Sequence, residues 1–272
     1  MCWIERELNR LGIPPLKRFG QHFLIDKRIR DSMVAAAELS SEDRVLEVGP
    51  GLGFLTEELV KRAGRVVAVE KDRTLATYLT DHFSRVQNLE VIQGDALTVG
   101  KSGCMKLVSS PPYNISSKLV LFITRNRFES AVLLFQDEFV HRLTAMSGSR
   151  EYGRLSVALQ VYAEAEIVMK VPRSAFYPSP KVDSALLTIK PKNDSLQIKD
   201  ASLFEDLVRS LFTQRRRRLN TVLRRYFKGK YQPGFSSLLS QIETPEKRVF
   251  QTTPTELVEL ANEISCILQS VR

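Results

Sequence analysis

Three acids stand at or just past the ends of three consecutive β-branched runs. Glu47 precedes a glycine-rich turn, Val48-Gly49-Pro50-Gly51-Leu52-Gly53. Glu70 closes Val66-Val67-Ala68-Val69-Glu70, and Asp95 follows Leu89–Ile92 in Gln93-Gly94-Asp95-Ala96. Glycine has no Cβ, so such a turn takes positive φ and lets a ligand lie against bare peptide. One carboxylate at a neighbouring strand end can accept the vicinal hydroxyls of a ribose, and a second can accept from an adenine amino group. The three together point to a bound nucleoside. A fourth run, Lys106–Ser109, leads into Ser110-Pro111-Pro112-Tyr113-Asn114-Ile115-Ser116. An exocyclic amine on a nucleobase is a poor nucleophile, because its lone pair is delocalised into the ring. Carbonyls held by the prolines and the Ser110 hydroxyl would accept its N–H bonds and aim that lone pair at an electrophile, while Tyr113 stacks on the ring.

These groups meet only if the strands that carry them run parallel. β-branched runs at Arg44–Val48, Val66–Glu70, Leu89–Ile92, Lys106–Ser109, Ser130–Phe135 and Ala185–Ile189 are separated, early in the chain, by helix-like stretches such as Phe54 to Leu59. That alternation predicts an α/β fold with a largely parallel sheet covered on both faces, whose carboxyl ends share one edge. After Lys190 the pattern changes to apolar residues at helical spacing: Leu203, Leu207, Leu211, then Leu219, Val222, Leu223, with Pro233, Pro245 and Pro254 as punctuation. A small all-helical domain is expected there. The polar, proline-broken stretch from Lys190 to Ser195 serves as the linker, giving domains 1–190 and 191–272.

A composition of 43% hydrophobic and 26% charged residues in 272 is that of a globular chain able to bury a sizeable core. The net charge of +9 favours an anionic partner, nucleic acid first. Residues 191–272 carry 14 basic against 9 acidic residues, and the first 190 carry 26 against 22, so the tail is the denser in positive charge. Within it, residues 207–230 hold nine Lys or Arg and no acid, including Arg215, Arg216, Arg217, Arg218, Arg224, Arg225, Lys228 and Lys230. Such a basic face could follow the phosphates of folded RNA, with Lys17 and Arg18 extending it. Cys2, Cys104 and Cys266 lie far apart, and beside His22, His82 and His141 they offer neither a metal spacing nor a disulfide framework. A reducing, cytoplasmic setting is expected, without metal. No apolar stretch approaches the ~18–20 residues of a membrane span.

NAD and S-adenosylmethionine both contain the nucleoside that the acids suit. The turn reads Gly-x-Gly-x-Gly rather than the Gly-x-Gly-x-x-Gly built around a pyrophosphate, and Glu47 lies where a sulfonium or an ammonium group would be welcome. S-adenosylmethionine is therefore the expected cofactor. The arrangement resembles the first motif of the Rossmann-like class I methyltransferases, with Glu70 and Asp95 similar in place to that family's ribose and adenine contacts.

Three further stretches make the resemblance specific: Arg18-Phe19-Gly20-Gln21-His22-Phe23-Leu24, the Pro-Pro-Tyr-Asn-Ile-Ser run, and Phe176-Tyr177-Pro178-Ser179-Pro180-Lys181-Val182-Asp183-Ser184-Ala185. In this order around the glycine turn they look like the small-subunit ribosomal RNA adenine dimethyltransferases, and Phe212 to Arg217 resembles the start of that family's C-terminal domain. The resemblance covers essentially the whole chain. It implies dimethylation of the N6 amines of two adjacent adenines near the 3′ end of small-subunit RNA, on an assembling particle, by a monomer. By position it implies that His22 and Leu24 flank the cofactor, Gly49 and Gly51 hold its amino-acid end, Glu70 binds the ribose and Asp95 the adenine. Ser110 would touch both cofactor and target, and Phe176 would stack on a flipped base opposite Tyr113. One departure is plain: the family usually has Asn-Leu-Pro-Tyr where this chain has Ser110-Pro111-Pro112-Tyr113. The serine form is also similar to DNA methyltransferases acting on the N4 amine of cytosine. Two alternatives therefore stand beside the RNA reading, namely a DNA amino-methyltransferase and a non-catalytic assembly factor on the same fold.

Overall fold

The computed structural model describes residues 3–12, 21–192, 196–230, 242 and 244–270. Cys2, Lys17, the Arg18-Phe19-Gly20 half of the N-terminal motif, linker residues 193–195 and Pro233 lie outside the described residues. The strands are β1 (Phe23–Leu24), β2 (Arg44–Val48), β3 (Arg65–Glu70), β4 (Leu89–Gln93), β5 (Lys106–Ser109), β6 (Ser130–Gln136), β7 (Ala163–Val171), β8 (Phe176–Tyr177) and β9 (Ser184–Pro191). The helices are α1 (Trp3–Arg10), α2 (Lys27–Ala36), α3 (Thr56–Leu59), α4 (Arg73–His82), α5 (Ala96–Val99), α6 (Ser116–Asn126), α7 (Asp137–Thr144), α8 (Arg154–Tyr162), α9 (Ala201–Thr213), α10 (Leu219–Lys230) and α11 (Pro254–Ser270). Several start at aspartates whose carboxylates accept the first free backbone N–H groups: Asp26 for α2, Asp72 for α4, Asp95 for α5 and Asp200 for α9.

All six β-branched runs are strands of one seven-stranded sheet, ordered β4-β3-β2-β5-β6-β9-β7. β2 to β6 run parallel, and β9 joins β6 antiparallel. Val45, Leu46, Val66, Val67, Leu107 and Val108 are wholly buried, as strands covered on both faces require. From β2 the chain steps outward to β3 and β4, then returns to β5 on the other side of β2. The order reverses at β2 and β5, and ligands of open α/β sheets bind in the crevice outside the carboxyl ends at such a point. β1 and β8 form a separate two-stranded antiparallel ribbon.

β7 was not foreseen. Its sequence, Ala-Glu-Ala-Glu-Ile-Val-Met-Lys-Val, exposes most of its side chains and lies at one edge of the sheet, so it lacks the apolar run that marks a buried strand. β1 and β8, two residues each, are too short to leave a pattern.

The chain divides into two compact units, one of residues 1–140 with 164–191, the other of 141–163 with 192–272. The expected cut near residue 190 meets one of the crossings, but residues 141–163, expected in the first domain, belong to the helical unit. Their apolar face decides this: Tyr152, Val157 and Val161 are buried with Leu207, Leu211, Val222 and Leu257. The Tyr152 hydroxyl also donates to Thr252 O at 3.0 Å. In the first unit the core is a cluster containing Met33, Leu59, Val66, Val108 and Leu186, beside a smaller one of Ile4, Leu8, Phe23, Leu52 and Leu75. Among the described residues no helix is long and apolar enough to cross a membrane, and no cluster of His, Cys, Asp and Glu could hold a metal ion.

Candidate active site

The glycine turn leaves β2 with positive φ at Gly49 (69°) and Gly51 (62°). Neither position has room for a side chain. A Cβ on Gly49 would lie 3.1 Å from the Pro112 ring, and one on Gly51 would lie 2.9 Å from the Phe23 ring. The turn is thus wedged between two of the other motifs, the Pro-Pro-Tyr loop after β5 and the N-terminal segment. Two adjoining hollows open there. His22, Leu24, Glu47, Gly51 and Ser110 border one, Lys71, Asp95, Ala96 and Ile115 border the other, and Gly49, Glu70 and Pro112 border both. All seven residues expected at the cofactor (His22, Leu24, Gly49, Gly51, Glu70, Asp95 and Ser110) therefore line one continuous stretch of the carboxyl edge.

Each acid has its own environment. Glu70, 6% exposed, accepts Gly51 N at 3.1 Å on one carboxylate oxygen and Asp72 N at 2.9 Å on the other. Burial pushes its carboxyl up, and those backbone N–H groups pull it partly back. Glu47 is buried one residue from the end of β2 and accepts Thr56 Oγ1 at 2.6 Å. Burial, with a lesser contribution from the Glu70 charge, pushes it up to about 8. Asp95 is the reverse case. Lys71 Nζ donates to its Oδ2 at 3.0 Å and Leu97 N to its Oδ1 at 3.0 Å, and the ammonium first of all holds the carboxyl below its usual range.

The target loop begins where β5 ends. Ser109 Oγ donates to Val48 O at 2.5 Å, tying the end of β5 to the end of β2. Pro111 is buried and Ser110 half-buried, and Tyr113 opens a 3-10 turn that runs into α6. The Tyr113 ring lies 5.5 Å from His22, tilted 30°, and 6.4 Å from Phe176 at 69°. Phe176 is only 3% exposed, since β8 pairs it with Leu24 and the core packs around it. It does not face Tyr113 across a slot as expected. The two rings meet at a steep angle, with Phe176 buried and Tyr113 half-buried. The His22 Nδ1–H donates to Pro178 O at 2.7 Å, and Ile25 N donates to Ala175 O at 2.8 Å, so the N-terminal motif and the Phe176 motif are laced together along the ribbon.

In the helical unit the basic run is less uniform than its sequence. Arg216, Arg217, Arg218, Arg224 and Arg225 are exposed. Arg225 donates to Gln214 Oε1 at 2.6 Å. Arg215 instead turns inward and donates to Tyr152 O at 2.7 Å and to Arg150 O, which spends its guanidinium on the unit's own backbone. Asp206, just ahead of the acid-free window, pairs with Lys230 and Arg209 and accepts Tyr226 Oη at 2.9 Å. Lys230 first of all pulls its carboxyl down to about 2.

Sequence reasoning passed over Lys71, Thr56 and Ser184. Lys71 directly follows the ribose-type acid, a position that could have marked it. Thr56 sits nine residues beyond Glu47 with nothing in the spacing to join them, and Ser184 meets Tyr113 from seventy-one residues away.

The family model described as ribosomal RNA adenine dimethylase matches residues 16–264. A probable ribosomal RNA small subunit methyltransferase A from Pyrococcus abyssi is 44% identical over 256 residues, covering 93% of each chain. One of the same description from Methanosarcina mazei is 41% identical and covers 90% of this chain and 92% of its own. Among solved structures, a dimethyladenosine transferase from Plasmodium falciparum superposes with a TM-score of 0.77 at 28% identity, covering 90% of this chain and 98% of that one. The 23S rRNA methyltransferase ErmE gives 0.65 at 30% identity, over 89% and 99%.

Proposed function

This chain belongs to the ribosomal RNA adenine dimethylase family, and we propose that it methylates the N6 amines of two adjacent adenines near the 3′ end of small-subunit ribosomal RNA. It is an enzyme of the S-adenosylmethionine-dependent methyltransferases, with ribosomal RNA as its substrate. The observation that supports the finer reading is the position of Pro112, near Gly49 and bordering both hollows, so that the Ser110-to-Tyr113 loop lies beside the hollows rather than away from them.

The residues present fit S-adenosylmethionine. Bare peptide at Gly49 and Gly51 leaves room for a ligand's close approach. Glu70 keeps lone pairs for ribose hydroxyls after accepting its two backbone bonds, and Asp95 keeps one for an adenine amine beside Lys71. The buried Glu47 carboxyl answers a cationic end, and His22 and Leu24 would close over the amino-acid portion. When bound, the cofactor supplies an electrophilic methyl carbon on a sulfonium.

The chain's own part is positioning and electrostatics. Tyr113 stacks on an extruded adenine, with Phe176 beside it at 6.4 Å. The Ser110 hydroxyl and the proline-held carbonyls accept the N6 hydrogens, withdrawing the lone pair from conjugation. These hydrogen bonds strengthen as the nitrogen gains positive charge, so they act mainly on the transition state. The methylated ammonium is acidic and gives its proton to water or to a carbonyl acceptor. In the helical unit Arg216, Arg217, Arg218 and Arg224 contact RNA phosphates. The DNA reading is not favoured, because the relatives are ribosomal RNA methyltransferases. The test is to incubate the protein with methyl-labelled S-adenosylmethionine and unmethylated small subunits, or with duplex DNA. Label recovered as dimethyladenosine from RNA is expected. Label in DNA or in neither overturns the reading.

A further inference from the structure

The end of the Phe176-to-Ala185 motif borders neither hollow. Ser184 in that stretch is wholly buried, the first residue of β9, in register with Gln136 of β6. Its backbone surroundings are fixed from two sides. Asp137 N donates to Asp183 O at 3.1 Å, and the Asp183 carboxylate accepts Arg173 N at 3.0 Å. From this anchored place the Ser184 hydroxyl lies 2.6 Å from the Tyr113 hydroxyl.

At the other end of the same ring, Pro112 abuts the glycine turn and Ser116 Oγ donates to Tyr113 O at 2.9 Å. The tyrosine is therefore held at backbone and tip. A phenol ring on a fixed backbone still turns about its side-chain bonds, and a hydrogen bond at the tip selects one orientation. Burial raises the Tyr113 hydroxyl above its ordinary range, which keeps it a neutral phenol able to hydrogen-bond with a serine.

We propose that Ser184 is a positioning residue for methyl transfer, fixing through the Tyr113 hydroxyl the ring plane on which the target adenine stacks. The proposal rests on the reading of Tyr113 as the stacking platform. A base that stacks on a ring of varying tilt presents its amine at varying angles to the methyl carbon, and small losses of alignment lower the chemical step more than binding. Loss of one hydrogen bond that orders the site corresponds to about a fivefold fall in turnover.

The test compares the wild type with Ser184→Ala, Tyr113→Phe and the double variant. Measured are kcat, the KM values for small subunits and S-adenosylmethionine, thermal midpoint, and the 19F NMR spectrum of protein carrying 3-fluorotyrosine at its seven tyrosines. Each single substitution is expected to lower kcat about fivefold with both KM values unchanged, and the double should fall no further than the worse single. The fluorine line missing from Tyr113→Phe should shift or broaden in Ser184→Ala while the others stay. Wild-type kcat in Ser184→Ala, losses that multiply in the double, or a loss confined to KM and thermal midpoint would overturn the proposal. If the wild type yields no dimethyladenosine at all, the functional reading fails, and an unmoved Tyr113 line then separately refutes the hold by Ser184.

Discussion

Cofactor binding should tighten as pH rises, and Glu47 is the reason. Its carboxyl, ordinarily near 4.5, is pushed up to about 8 by burial, so it holds its proton at neutral pH. A cation seated beside it favours the carboxylate and expels that proton. Ionising the group costs about 1.4 kcal/mol at pH 7 and about 2.7 kcal/mol at pH 6, which is roughly tenfold and hundredfold in affinity. The sign follows: affinity climbs from pH 6 towards 8, and above that the carboxylate is already present while loss of the ligand's ammonium opposes any further gain. The ligand's own amino group titrates at roughly 7.7–8.0, and His22 and Glu70 border the same hollow. Glu47→Gln isolates the contribution, since an amide of the same shape cannot ionise. Calorimetry of S-adenosylmethionine binding at three pH values, in two buffers of different ionisation enthalpy, reads the affinity and the protons released together. About one proton per cofactor at pH 7 is expected for the wild type, and correspondingly fewer for Glu47→Gln. Equal proton release and equal slopes in the two proteins would refute a cation at Glu47. Thr56→Val, which removes the hydroxyl donating to Glu47 at 2.6 Å, should move the rise to higher pH.

Glu70→Ala should weaken S-adenosylmethionine binding and also lower thermal stability, because the buried Gly51 N–H loses its acceptor at about 1–3 kcal/mol and the half-buried Asp72 N–H loses its own; unchanged affinity by calorimetry would reject the ribose role. Ser110→Asn, which restores the longer amide usual in the family, should raise turnover severalfold in a methyl-transfer assay. A fall would show a pocket built around serine. Replacing Arg216, Arg217, Arg218 and Arg224 by Gln should flatten the salt dependence of small-subunit binding by about 0.7–0.9 in log–log slope for each phosphate no longer neutralised. Arg215→Gln should leave that slope alone and lower the thermal midpoint, since Arg215 holds the Tyr152 and Arg150 carbonyls. An unaltered slope in the fourfold variant, or an altered one in Arg215→Gln, would reverse these assignments.

The local chemistry was legible in the chain. All six strands, five parallel and β9 antiparallel, are runs rich in apolar and β-branched residues, so they were visible, and the acids at the ends of β2, β3 and β4 could be located before any contact was known. A parallel sheet puts those ends on one edge, and the crevice at Glu47, Glu70 and Asp95 follows from it. The polar break near residue 190 falls beside one of the crossings between the two units, at 191/192. The edge strand β7 was not legible, because its exposed, charge-bearing face carries no sign of burial.

Other features depend on which distant segments pack together, and local spacing cannot encode that. Residues 141–163 join the helical unit because Tyr152, Val157 and Val161 find their apolar partners there. Arg215 looks like its three neighbours in sequence, yet its guanidinium is taken by Tyr152 and Arg150 carbonyls. Phe176 is buried and meets the Tyr113 ring at 69°, on a backbone that pairs with Leu24. The residue types thus determined a line of acids at the strand ends, a proline-stiffened loop after β5 and a basic tail. The tertiary structure alone decided that the Ser184 hydroxyl meets the Tyr113 hydroxyl, because a hydrogen bond across seventy-one residues exists only once β6 and β9 have paired.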